Sequence, residues 1–453
     1  MTQDSGRTAA DRRKITLATA IGNFVEWFDS GAYAVMSATI AGLFFPQYDS
    51  TASLLATWAI FAGGFVARPV GAAFFGHYGD RLGRNKALAL SVLLMSGATF
   101  FIGVLPTYAS LGLAAPILLF LLRALQGFST GGEYTGASAF IVEYAPDGKR
   151  ARFAGAVPMT VGVASVAGSM VGVVLTSTLG DAAMQSWGWR VPFLIAAPLG
   201  LIGLYLRSRV EDTPVFRELE QRQEVEATPL RDAVKLCGRQ IATLFGYSIT
   251  NAVGYYLMSS YMIAYMSQEL GYSSSMAMLT AVVAMFAYCV ACPLAARASD
   301  RYGRKPLLLI ACGGFAVLTL PAFALMGTGL AGAMAGTSVL AVLVAVIGTS
   351  NVPALVEMFP GHLRASGSAI GYTAAYVLFG GTAPFVATGL VAASGTALAP
   401  GFYLAGLAVV STLVVALAFR ETRHLSLTRT TVTEEPGAAA GPAAEEAAPL
   451  PAS

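Results

Sequence analysis

The chain has 453 residues, 55% of them hydrophobic and only 12% charged, with a mean hydropathy of +0.64. So little charge cannot cover the surface of a water-soluble protein of this length, so the composition excludes a soluble globular fold and implies a membrane protein. The net charge of +3 is too small to point to nucleic acid or an acidic partner, and its distribution along the chain is more informative than its total.

Residues 1–14 form a short basic tail ending Arg12-Arg13-Lys14. The apolar run that follows, about 15 to 45, is too long and, with Glu26 and Asp29, too polar for a cleaved signal peptide. Further runs of spanning length fall at about 52–77, 87–105, 113–144, 153–178 and 190–207, which gives six in the segment 15–207. The stretch 208–239 is charged and carries Pro214 and Pro229, so it reads as a cytoplasmic linker with short surface helices. Six more runs follow within 240–419, at about 240–266, 275–296, 307–327, 333–356, 366–390 and 399–419. The tail 420–453 turns Thr-, Glu-, Pro- and Ala-rich and is expected to be disordered in the cytoplasm. Cys237, Cys289, Cys292 and Cys312 make no oxidative framework, and Cys289 and Cys292, three apart in an apolar run without a second ligand pair, read as core packing. No metal or cofactor is expected.

Orientation follows from the basic residues. With both termini cytoplasmic, 25 of the 28 Lys and Arg fall on the inner side, Arg190 alone lies outside, and Arg68 and Arg123 remain within the membrane. Trp58, Trp187 and Trp189 are expected in the outer interfacial belt.

A dense motif, Gly76-His-Tyr-Gly-Asp80-Arg81-Leu-Gly-Arg84-Asn-Lys86, ends the second run and returns as Ala296-Arg-Ala-Ser-Asp300-Arg301-Tyr-Gly-Arg304-Lys305 at the end of the eighth. One such turn is commonplace. Two, in matching places, indicate a duplicated unit, and duplication in an apolar chain is a transporter signature. The expected fold is an all-α membrane protein with 12 transmembrane helices in two pseudo-symmetric six-helix bundles.

Ionisable groups within spans are costly and mark ion or substrate pathways. Glu26 and Asp29 sit three apart on the first run, with Asn23, Ser30 and Tyr33 near the same face. At ~1.5 Å per residue, Glu26 lies ~17 Å from the inner edge and Arg123 of the fourth run ~15 Å from the outer one, so Arg123 is expected to pair with Glu26 or Asp29. Arg68 on the second run and Glu133 on the fourth complete the set. A purely architectural pair is the competing reading for Arg123, but five charges in one half exceed what such a pair requires. His77, His362 and His424 all fall at cytoplasmic edges or in the tail, so proton transfer at depth falls to carboxylates. The second half carries no charge within its spans. It offers Tyr247, Asn251, Tyr255 and Met258 at helical spacing on the seventh run and Tyr372, Tyr376 and Phe379 on the eleventh. Such rows suit ordinary bundle packing or, facing a cavity, aromatic contact with a cation.

With the repeated loop, Leu125-x-Gly127-Phe128-x-x-Gly131, Phe140-x-x-Glu143 and Arg150 resemble the major facilitator superfamily over nearly all of 15–420. Gly22-Asn23-x-x-Glu26-Trp27-x-Asp29, Arg68-Pro69-x-Gly71, Gln126-Gly127-Phe128-Ser129-x-Gly131-Gly132-Glu133-Tyr134, Trp187-Gly188-Trp189-Arg190 and Glu357-Met358-Phe359-Pro360 resemble its metabolite:proton symporters. Gly132 to Ser138 with Glu143-Tyr-Ala-Pro146 is most similar to the proline/betaine branch, whereas Phe379-Gly-Gly-Thr-Ala383 is closer to the oxoacid branch. The resemblance implies a symporter of the bacterial inner membrane whose partners are a small carboxylate-bearing solute, protons and the bilayer. Proline or betaine-type osmolytes are favoured over α-ketoglutarate-, shikimate- or citrate-type acids, although two intramembrane Arg suit a dicarboxylate as well. It also implies roles: Glu26, Asp29 and Glu133 for proton coupling; Arg68, Arg123, Asn23, Tyr134, Asn251, Tyr255, Tyr372 and Tyr376 for the solute; and Asp80, Arg81, Arg84, Glu143, Arg150, Asp300, Arg301 and Arg304 for a cytoplasmic gate. A non-transporting sensor is the distant alternative, and no nucleophile motif, His-rich cluster or phosphate loop suggests an enzyme.

Overall fold

The computed structural model describes residues 23–24, 27–82, 84–131, 133–143, 145–146, 148–208, 229–425 and 427, with side chains throughout these except at 76–88, 133, 140, 206–208, 229–232, 362 and 365. Glu26, Gly83 and Gly132 thus lie outside the described residues. So do the side chains of Asp80, Arg81, Arg84 and Glu133, the linker 209–228, and the tail beyond 427.

Among the described residues the elements are helical. They are α1 (27–44, bent at Met36), α2 (Ser50–Leu82), α3 (Arg84–Val104), α4 (Ala114–Glu143), α5 (Arg150–Thr178), α6 (Val191–Ser208), α7 (229–268), α8 (Ser274–Tyr302), α9 (Arg304–Met326), α10 (Leu330–Glu357), α11 (364–394) and α12 (Ala399–Leu417). Nine of these stretches are long and apolar enough to cross a membrane. The other three are α1, described from residue 27 onward; α3, apolar only over Ala89–Val104; and α7, which carries many Tyr, Ser and Thr.

Helix pairings reveal the duplication. In the first half α2 packs on α4 and α3 on α6; in the second α8 packs on α10 and α9 on α12. Across the halves α5 lies against α8 and α11 against α2, which is the same pairing exchanged. The α2–α4 contact is backbone to backbone. A Cβ on Gly127 would run into the Gly64 carbonyl, and one on Gly71 into that of Phe128, so no larger residue fits either place. This seam sets Arg68 and Arg123 side by side.

Exposed apolar side chains such as Val66, Val70, Ile117, Phe286, Val317 and Leu417 cover the outside of the bundle, as a lipid-facing surface requires. One expectation is corrected here. Trp58 and Trp189 are core residues, each 0% exposed, Trp58 against Phe61 and Trp189 between Phe44 and Phe193; only Trp187 is exposed. The end of the stretch read as a linker with short surface helices is helical from Pro229, where α7 begins, with a kink at Cys237 (φ −116°, ψ 18°).

Candidate functional site

Asp29 of α1, Thr99 of α3, and Arg123 and Gln126 of α4 form a closed polar cluster inside the first half. Arg123 Nη1 donates to Asp29 Oδ2 at 3.0 Å, while Gln126 Nε2 and Thr99 Oγ1 donate to Asp29 Oδ1 at 2.7 and 2.8 Å. Arg123 Nη1 also donates to Gln126 Oε1 at 2.6 Å, and its guanidinium lies 4.4 Å from the Tyr33 ring centre and 5.1 Å from that of Phe61. Asp29 and Arg123 are each only 4% exposed, and removing either would leave the other charge stranded in apolar surroundings. Of the two carboxylates weighed from the sequence, Asp29 pairs with Arg123, and Glu26 lies outside the described residues. Gln126 and Thr99 were not anticipated; the one available signal was that Gln126 stands three residues from Arg123 on the same helix face.

Beside this cluster lies a cavity of about 20 Å3 whose lining includes Asp29, Arg68, Arg123, Gln126 and Thr130, enough for a water and too small for a solute. Arg68 stacks its guanidinium 4.3 Å from the Phe65 ring centre.

Where the halves meet, six aromatic residues form a box. From the first half, the Trp27 ring stands 4.9 Å from Tyr255, 6.0 Å from Tyr256 and 6.5 Å from Tyr134. Tyr134 stacks on Tyr372 at 4.9 Å with ring planes 5° apart, and Tyr372 on Tyr376 at 4.2 Å. Tyr256 touches Phe61, Phe65 and Tyr376. Two hydrogen bonds orient the box: Ser165 shares one of 2.9 Å with the Tyr255 hydroxyl, and Asn251 Nδ2 donates to the Tyr376 hydroxyl at 3.0 Å. Asn23, expected to face the solute, instead donates to the Val157 carbonyl at 3.2 Å and accepts from Trp27 Nε1 at 3.1 Å, so it ties α1 to α5 and orients the Trp27 ring. Trp27 and Tyr256 were missed as lining residues because each stands next to a residue that drew attention for its own charge or spacing.

Both second-half helices that supply the box locally widen into π-helix, α7 over Leu257–Tyr261 and α11 over Tyr376–Gly380. Such bulges insert one residue into a helical turn and cluster at functional sites.

The basic end of the bundle is closed by ion pairs that join the halves. Glu357 at the end of α10 accepts from Arg304 Nη2 at 2.9 Å and Nε at 3.1 Å, and from Arg150 of the first half at 3.5 Å. Asp300 pairs with Arg304 at 3.2 Å and accepts from the backbone N–H groups of Ala151 and Arg152 at 2.9 and 3.0 Å, so the repeated motif of one half caps a helix of the other. Arg364 pairs with Glu143 at 2.7 Å. The segment after α12 straps this cluster: Thr422 donates to Glu357 at 2.7 Å, and Arg150 and Arg364 donate to the Leu425 and Leu427 carbonyls. Glu421 accepts from the backbone N–H groups of Arg304 and Lys305 at the start of α9. Arg301 is exposed, with its guanidinium over the Tyr302 ring, and it meets the strap through its carbonyl, which accepts from Arg423 Nη1 at 2.6 Å. Glu357 and Arg364 escaped notice as partners of Arg150, Arg304 and Glu143 because in sequence they are ordinary charges at helix ends.

At the opposite end the halves part around a cavity of about 310 Å3 whose lining includes Ser37, Thr176, Asp181, Gln185, Ser267 and Ser274. A bundle sealed at one end and open at the other, with an aromatic box between, has the geometry of alternating access.

The comparisons agree. Residues 15–235 match the family model of sugar (and other) transporters, and residues 243–450 that of the major facilitator superfamily. The chain is 38% identical over 429 residues to the proline/betaine transporter of Escherichia coli K12, covering 92% of this chain and 85% of that one. The chain belongs to the major facilitator superfamily. It is also 39% identical over 438 residues to the glycine betaine/proline/ectoine/pipecolic acid transporter OusA of Dickeya dadantii, covering 94% and 85%. Among solved structures, the proton:xylose symporter XylE bound to 6-bromo-6-deoxy-D-glucose superposes with a TM-score of 0.76 over 93% of this chain and 98% of that one, at 18% identity. That likeness speaks to fold alone. The chain is therefore a multi-pass membrane transporter of this superfamily and not an enzyme.

Proposed function

We propose that the protein is a proton symporter importing small zwitterionic osmolytes of the proline and glycine betaine kind across the bacterial inner membrane, with both termini in the cytoplasm. The observation that carries this reading is the aromatic box of Trp27, Tyr134, Tyr255, Tyr256, Tyr372 and Tyr376, which draws rings from both halves to one point. Ring faces attract a desolvated ammonium with about 2 kcal/mol, and a box of rings suits a methylated one that has no hydrogen-bond donors. The relatives named for proline, betaine and ectoine support the same solute class.

The cycle follows from the geometry. With the basic end assigned to the cytoplasm, the inner end is shut by ion pairs between the halves and the cavity lies at the outer end. The rings touch one another, so a solute must part them, and the π segments beside Tyr256 and Tyr376 supply the slack. A proton on Asp29 removes the charge that holds Arg123, freeing the guanidinium to turn toward the solute carboxylate. Glu26 and Glu133 remain candidates for the proton's path. Ordering of both halves around the bound solute then offsets the loss of the Glu357 and Arg364 pairs, and the inner end opens.

An organic-acid reading rests on Arg68 and Arg123 sharing one cavity wall. The commitment of Arg123 to Asp29 and the small size of that cavity weigh against it. Uptake of labelled betaine, proline and α-ketoglutarate into proteoliposomes under an imposed pH gradient tests the proposal. Betaine and proline should accumulate with the gradient and collapse with it. Competition of betaine uptake by an unlabelled dicarboxylate at lower concentration than by proline would overturn it.

A further inference from the structure

Asn351 of α10 is 0% exposed, and among the described residues it is the one buried amide for which neither Oδ1 nor Nδ2 has a hydrogen-bond partner. Asn23, Gln126 and Asn251 all have theirs. A buried amide left unmatched is costly and rare, and it marks a place where a partner comes and goes.

Its position says which partner. Asn351 stands three residues, just under one turn, from Gly348 toward the basic end, so the two share a helix face. A side chain starting at Gly348 would begin 3.7 Å from the Tyr288 hydroxyl and 3.9 Å from Asn251 Oδ1. Asn251 is the residue that orients Tyr376. The amide therefore lies on the face that looks at the polar wall of the aromatic box, on the side a solute crosses when it moves inward.

The rest is donor and acceptor chemistry. A carboxamide presents an acceptor, Oδ1, and two donors on Nδ2. The Nδ2 donors suit a carboxylate, which every amino-acid zwitterion carries. The Oδ1 acceptor suits only an ammonium that still bears N–H. Proline has two such hydrogens and a fully N-methylated solute has none, a difference the ring faces do not register. We infer that Asn351 is a specificity-determining residue whose Oδ1 accepts from the solute's ammonium N–H, adding affinity for proline-type solutes over fully methylated ones. This rests on the osmolyte reading above.

The test compares proline with N,N-dimethylproline, which keeps the ring and carboxylate and lacks N–H, in proteoliposomes of the wild type and of Asn351→Leu, a near-isostere without polar atoms. Loss of one hydrogen bond to a charged group should raise the ratio of the proline KM to the dimethylproline KM about tenfold in the variant. The same ratio read from the melting shift that each solute gives the purified protein makes the result independent of turnover. A variant that changes both solutes by the same factor, changes neither, or carries neither while the wild type carries both overturns the inference and leaves the osmolyte reading intact. A wild type that moves neither of these solutes nor betaine overturns both.

Discussion

In the first half of the molecule the buried charge is held in one cluster: Asp29 accepts from three side chains, and the helices that carry Arg68 and Arg123 touch at Gly64 and Gly127. In the second half the described spans hold no ionised side chain at that depth. Their polar content is tyrosine hydroxyls, two amides and small hydroxyl residues, set on helices interrupted by π turns. Duplication kept the helix pairings while the chemistry diverged: one half stores charge, the other presents rings and can flex. Under the proposed symport, coupling between proton and solute requires each half to do what the other cannot.

The strongest way to break that comparison is to remove the stored charge. Arg123→Met leaves Asp29 buried and unpaired, so it should destabilise the protein by about 3–5 kcal/mol and abolish accumulation, read by melting of the purified protein and by uptake. Combining it with Asp29→Leu should recover most of the melting temperature but not accumulation. If the double variant still concentrates solute under a pH gradient, the pair is architectural and the contrast between halves has no functional meaning.

Removing the ring that reaches from the charged half to the aromatic one comes next. Trp27→Ala should raise the betaine KM about 30-fold, the equivalent of the ~2 kcal/mol of one desolvated cation–π contact, with Trp27→Phe recovering part of it. A smaller effect probes the seal between the halves. Glu357→Gln weakens the pairs with Arg304 and Arg150, so the inner end should open more often, and a Ser299→Cys reporter should label about five- to tenfold faster from the cytoplasmic side in a background without the four native cysteines. No change in labelling would mean that the strap after α12 holds the gate by itself.

The smallest effect is expected at Glu421. Burial pushes its carboxyl up, but the backbone N–H groups of Arg304, Arg423, Lys305 and Thr422 outweigh burial and hold it below its ordinary value. A lowered carboxyl contributes stability that is present above the ordinary carboxylate range and lost only as pH falls through the lowered value. Between pH 5 and 8 the contribution is constant. Glu421→Gln should therefore lower the melting temperature slightly while leaving the shape of the uptake–pH profile in that range unchanged.

The fold was largely legible because its signals are long: apolar runs, basic ends and a motif repeated at matching places survive any local ambiguity. The Arg123 partner was legible too, since matching depths brought it to within one helical turn of the answer at Asp29. The box was only half legible. Tyr255, Tyr372 and Tyr376 stood out as rows, but helical spacing does not say what a row faces, and π turns at 257–261 and 376–380 change the facing without any mark in the residue types. Gate partners such as Glu357 and Arg364 were hidden for a different reason. Contacts between helices far apart in sequence depend on how the halves dock, and no local pattern encodes it.

The seam at Gly64 and Gly127 has a mechanical consequence. Where helices meet main chain to main chain, side chains have little room to slide or re-pack, so α2 and α4 travel together as one stiff beam. Because α2 also lies against α11, every tilt of that beam is delivered to the helix whose spare residue sits beside Tyr376, and it is there that movement turns into a change in what the rings can grip.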